Sequence, residues 1–90
     1  MKLEQLRQQI DQIDDELVAL FVQRMEIAVQ IADYKKEHNL PIFVPTREQE
    51  KLEDVAAKAG PELAEYTRCL YATLFELSRV YQNEHNGEDL

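Results

Sequence analysis

From Leu3 to about Glu37 the apolar positions fall at Leu3, Leu6, Ile10, Ile13, Leu17 and Leu20, then at Ile27, Ile31 and Tyr34. Steps of three and four put these side chains on one face of a long amphipathic helix or coiled coil. One position breaks the stripe: between Leu20 and Ile27, where an apolar residue is due, the chain places Arg24. A charge on such a face is costly unless something anionic meets it. Length is a second oddity. Such a helix runs about 50 Å at about 1.5 Å per residue, whereas a compact chain of this size has a diameter of roughly 30 Å. The overhang carries apolar residues that soluble proteins rarely leave bare, so a second copy of the chain is expected to cover it.

Further along, Asn39 suits a left-handed position just past the helix, Lys35 and Lys36 complement its negative end, and Pro41 blocks continuation. A connector over 38–45 with two prolines follows. Thr46 with Gln49 three residues on predicts a capping box and a second helix over about 46–59, with Leu52, Val55, Ala56 and Ala59 on its apolar face. One turn back along that face from Leu52 stands Glu48. Gly60 ends this helix, and Pro61 predicts the first position of a third, over about 61–84, with Leu63, Tyr66, Leu70, Leu74, Leu77 and Tyr81 in helical steps. A tail from His85 to Leu90 is expected to fray. Alternating strand patterns are missing. The pattern predicts one all-α domain over 1–90, with one long, one short and one medium helix per chain, the long one covered by a second copy.

Composition narrows the partners. A net charge of −8 argues against a nucleic-acid or membrane-surface protein and makes basic residues on an apolar face conspicuous. One cysteine, Cys69, leaves no intrachain disulfide and fits a reducing compartment. The polar opening MKLEQLRQQ does not read as a signal peptide, and no apolar run reaches spanning length. A cytoplasmic location is expected. His38, His85 and Cys69 are scattered, so no metal site is expected, and no glycine-rich phosphate loop is present.

The polar residues on or beside apolar faces are Arg7, Arg24, Lys35, Arg47, Glu48, Ser78 and Gln82. Singly, each has an ordinary reading. Arg7 can snorkel past the stripe, and Arg24 can mark a stutter or pair with a carboxylate across a dimer. Lys35 can serve the helix dipole, and the rest can be surface residues. Spacing links them. Arg24 and Lys35 stand three turns apart on nearly one face, about 16 Å along the axis, and two long cationic side chains can grip a small anion between them. Arg7 lies roughly 25 Å away, out of reach within its own chain. If two first helices pack antiparallel about a dyad near Val18, residue 7 of one comes level with about residue 29 of the other, and two equivalent pockets follow. A pocket of three or four cations suits a small polycarboxylate, handled by positioning and electrostatics.

In their order and spacing these residues resemble the all-helical chorismate mutases. The resemblance covers roughly Leu3 to Gln82 and includes LRQQIDQID with Arg7, ALFVQRMEIA with Arg24, IADYKK with Lys35, PIFVPTRE with Arg47-Glu48, and SRVYQ with Ser78 and Gln82. It implies an intertwined helical homodimer of three-helix chains that converts chorismate to prephenate without a cofactor. By similarity, Arg24 and the other chain's Arg7 bind the substrate carboxylates, and Ser78 lies near the ring carboxylate. Lys35 and Gln82 face the ether oxygen, Glu48 and the backbone N–H of Val44 hold the ring hydroxyl, and Arg47 supports the carboxylate network. Ile31 and Phe75 form apolar walls. One departure is Val44, where the family commonly has Asp. An apolar, proline-containing connector is similar to that of isochorismate-pyruvate lyase, while Glu48 suits chorismate. A third reading is a non-catalytic dimerisation module whose cations meet Asp11 and Asp14 of the partner.

Overall fold

The computed structural model describes residues 1–87. It consists of α1 (Lys2–Glu37), α2 (Pro45–Ala59) and α3 (Ala64–His85), with no strand among the described residues. α3 is the central element and packs against both other helices. Arg24 meets Ser78 and Ala28 meets Gln82, so the register advances together and α1 and α3 run parallel. Against α2, Glu48 meets Arg79 and Glu53 meets Arg68, which makes that pair antiparallel.

The packed part of α1 is its C-terminal half. Ala28 and Ala32 are its two buried residues, spaced one turn apart so that α3 can approach closely with Phe75, Ser78 and Gln82 buried on its facing side. Ala56 is the buried residue of α2. No large side chain is fully buried among the described residues. The N-terminal half of α1 touches nothing comparable: every residue from Met1 to Leu20 is exposed, including Ile13 at 60% and Leu20 at 61%. The radius of gyration is 16.2 Å and the extents are 55 × 26 × 20 Å, against about 12 Å for a compact chain of this length.

The turn after α1 obeys the rule its sequence suggests. Asn39 adopts φ 56°, and the N–H of Leu40 donates to the Lys35 carbonyl at 2.8 Å while that of Asn39 donates to Lys36 at 3.3 Å. This paired closure satisfies two of the last helical carbonyls and folds the connector back along α1.

Three details depart from the sequence reading. The capping box at Thr46 does not form: Val44 is the N-cap, with no side-chain cap bond, and Pro45 takes the first helical position. Proline presets the required φ and has no N–H to leave unpaired, so α2 starts a residue early. Gln49 then donates to Glu53 instead. Pro61 does not open α3. Gly60, at φ 89°, turns the chain, residues 61–63 form a turn with Leu63 donating to Gly60 at 3.2 Å, and α3 begins at Ala64. Finally, α3 runs on through His85, whose Nε2 lies 2.8 Å from Oδ1 of Asp33. The remainder of the expected frayed tail, 88–90, lies outside the described residues.

Candidate functional site

A cleft of about 460 Å³ opens where the C-terminal half of α1, the connector, the start of α2 and the end of α3 converge. Of the residues singled out from sequence, Arg24, Lys35, Val44, Arg47, Glu48, Ser78 and Gln82 all line it, with Ile31 and Phe75 as apolar walls. Arg7 does not. It lies in the exposed half of α1, seventeen positions before Arg24, or about 25 Å at the helical rise.

Arg24, Lys35 and Gln82 are each held by a contact that leaves further donors free. Arg24 donates from Nη1 to Ser78 Oγ at 3.1 Å, and its guanidinium carbon lies 5.5 Å from the Phe75 ring centroid and 5.8 Å from that of Tyr71. Aromatic faces attract the cation and fix its plane, and a guanidinium has five N–H donors, so most remain for a ligand. Ser78 in turn points its hydroxyl at the Met25 sulfur. Lys35 donates from Nζ to the carbonyl of Ile42 at 3.0 Å. The same turn that takes the Lys35 carbonyl thereby also tethers its ammonium, which keeps two of its three donors. Gln82 is buried and donates from Nε2 to the Ala28 carbonyl at 2.8 Å; the second N–H of that amide is unspent.

Charge is concentrated here. Arg24, Lys35, Arg47, Lys51 and Arg79 line the cleft against the single carboxylate of Glu48, in a chain whose net charge is −8. The walls contributed by Ala28, Ile31, Ile42, Val44 and Phe75 are apolar, which strengthens the field of the cations. Ion pairing also acts away from the cleft, on the α2–α3 seam. Hydrogen bonding from the Arg68 guanidinium, and its charge, hold the Glu53 carboxyl below its ordinary value and raise Arg68 in return.

Two charged lining residues were not anticipated from sequence, Lys51 and Arg79. Arg79 stands four residues after Phe75 and three before Gln82, on the face those residues share, so its placement was open to the same periodicity. Lys51 similarly follows Glu48 on α2. The remaining reactive side chains stay outside the cleft: Cys69 is exposed on α3, and His38 stacks on Tyr34 with a centroid separation of 4.0 Å.

Fold and cleft together define an all-helical domain with a small, strongly cationic binding site. The chain belongs to the chorismate mutase type II family, whose profile matches residues 6–83. It is 43% identical over 54 residues to a bifunctional chorismate mutase/prephenate dehydratase of Aquifex aeolicus, covering 60% of this chain and 15% of that protein. It is 46% identical over 46 residues to the T-protein of Haemophilus influenzae, covering 51% of this chain and 12% of the other. A chorismate mutase of Methanocaldococcus jannaschii is 35% identical over 48 residues, 53% of this chain and 48% of its own. The matches thus span less than half the length of each of these relatives. No solved structure matches the chain.

Proposed function

We propose that this chain is a chorismate mutase, converting chorismate to prephenate by a Claisen rearrangement on the way to phenylalanine and tyrosine. The observation that carries the reading is the convergence of Arg24, Lys35, Glu48, Ser78 and Gln82 from all three helices on one cleft. The reaction is unimolecular and pericyclic, so it asks for no nucleophile, proton donor or cofactor. It does require the compact conformer in which the enolpyruvyl chain folds over the ring. Two carboxylates clamped at fixed separation select that conformer, which is a gain of positioning. Arg24 supplies one clamp and Ser78 assists it, with Arg47 supporting the carboxylate network. Bidentate geometry favours arginine at such points.

As the C–O bond breaks, negative charge grows on the ether oxygen. The tethered Lys35 ammonium and the free N–H of Gln82 oppose it without reorganising. Glu48 and the Val44 N–H take the ring hydroxyl, and Ile31 and Phe75 wall the ring. The second clamp is Arg7 of a partner protomer. Support for an intertwined homodimer comes from the bare stripe Leu3, Leu6, Ile10, Ile13, Leu17 and Leu20, each at least 45% exposed. Burying such a side chain from full exposure contributes about 1.5–3 kcal/mol; with these six about half exposed, covering the stripe still reaches the lower part of a small domain's stability of about 5–15 kcal/mol. The single cysteine supports a cytoplasmic setting, and no helix among the described residues is long and apolar enough to cross a membrane.

The apolar Val44-Pro45 step favours a second reading, isochorismate-pyruvate lyase. One experiment separates the possibilities: the purified protein is incubated with chorismate and, separately, with isochorismate. Prephenate supports the mutase, and salicylate with pyruvate supports the lyase. Silence with both substrates leaves a helical dimerisation module.

A further inference from the structure

Glu48 sits in the first turn of α2 among cations. The positive end of the helix favours it there, but so do Lys51 one turn on and, across the cleft, Lys35 and Arg24. A loose carboxylate in that company would fold into the cleft and neutralise the charges that a dianionic substrate needs. The structure contains a restraint against this. Nη1 of Arg79 lies 2.5 Å from both Oε1 and Oε2 of Glu48. The guanidinium is itself held, with its central carbon 4.6 Å from the centroid of the Phe43 ring. Connector, α3 and α2 are thus joined in one short relay from Phe43 through Arg79 to Glu48. The ion pair is neither free nor sealed: the two side chains are 30% and 24% exposed. Lys51, meanwhile, is turned toward Asp54 at 3.4 Å.

We propose that Arg79 is a positioning residue of the site: it holds the Glu48 carboxylate as an oriented acceptor for a substrate hydroxyl and keeps it from pairing with the cleft cations. This rests on the mutase reading above. A carboxylate has about four lone-pair directions, so contacts from Arg79 leave acceptor capacity on each oxygen for the ring hydroxyl. The pairing also lets Glu48 remain in a cationic cleft without drawing Lys35 away from the Ile42 carbonyl.

The test is a double-mutant cycle of Arg79→Met and Glu48→Gln, each protein measured for prephenate formation and for thermal melting. Losing an oriented charged acceptor is worth about 10- to 100-fold, so each single variant is expected to lose about 10-fold or more in kcat/KM, largely as a rise in KM. The double variant is expected to match Glu48→Gln alone, because without the carboxylate Arg79 has nothing to orient. Arg79→Lys, a point charge without the planar fork, should recover part of the loss. Multiplicative losses in the cycle would overturn the proposal and make Arg79 either a direct ligand of the substrate or a simple strut between α2 and α3. A strut would show coupling in the melts and none in turnover. If the parent protein forms no prephenate, the mutase reading fails and the positioning role falls with it, whereas the melting cycle still reads the ion pair.

Discussion

The two halves of α1 share one helix and one periodicity, yet they meet opposite fates. In residues 21–37 the chain covers one edge of the helix: Ala28 and Ala32 are buried, Arg24 is stacked on α3, and Lys35 is tied to the connector. In residues 2–20 nothing is covered, although the apolar spacing is at least as regular. Periodicity therefore marks a face to be covered without saying by what: α3 takes the alanine edge at Ala28 and Ala32, while the stripe itself stays open at Ile27, Ile31 and Tyr34. The packed half uses alanines where α3 must come close, while the bare half carries Leu and Ile, side chains suited to interlocking with a like partner.

That contrast can be broken at several points. The largest effect belongs to the packed half: Lys35→Ala is expected to lower turnover by at least about 10³-fold with the oligomer intact, as read by steady-state kinetics and sedimentation. In the bare half, Arg7→Ala should cost about 10²-fold in kcat/KM without moving the melting temperature. Such a loss at a residue about 25 Å from Arg24 in its own chain would have to be exerted in a second protomer. A retained rate would remove Arg7 from the site. Ile13→Asp plants a charge in the centre of the bare stripe, and sedimentation should then show monomers with turnover lost alongside. An unchanged sedimentation coefficient would mean that the stripe is not the interface. Ala32, 0% exposed, gives the matching perturbation of the packed half. Ala32→Leu should cost about 1–3 kcal/mol by overpacking against α3, measured by denaturant unfolding, whereas a comparable change at an exposed position of residues 2–20 should leave the protomer fold untouched.

The smallest effect is on the α2–α3 seam. The folded-state pKa of Glu53 is lowered by Arg68, so the pair's contribution is fully present above the ordinary carboxylate value and is lost as pH falls through the lowered one. Glu53→Gln is expected to remove that acidic slope from the melting curve and change little at neutral pH, as fits an exposed pair.

Much of the candidate site was legible from residues that violated their surroundings. Arg24 stood out because a stripe of Leu and Ile made a charge there anomalous, and Glu48 because stepping back from Leu52 landed on it. Asn39 was legible as a local backbone problem with few solutions. The place of Arg79 on the face of Phe75 and Gln82 was open to periodicity, but its pairing with Glu48 depends on how α2 lies antiparallel to α3, a tertiary fact that no window of the sequence contains. The ends of elements failed for similar reasons. Pro45 outbid Thr46 for the start of α2, Gly60 spent the Pro61 signal on a turn, and the contact with Asp33 carried α3 through His85.

In the homodimer proposed above, the uncovered forward half of α1 would also tie competence to abundance. Where folding partner and missing clamp come from the same neighbour, dilution removes shelter and chemistry in one step, so output should rise more steeply than in proportion to the amount of chain at scarce concentrations. On that reading, a cell making too little of it would hold idle protomers instead of a smaller number of working enzymes.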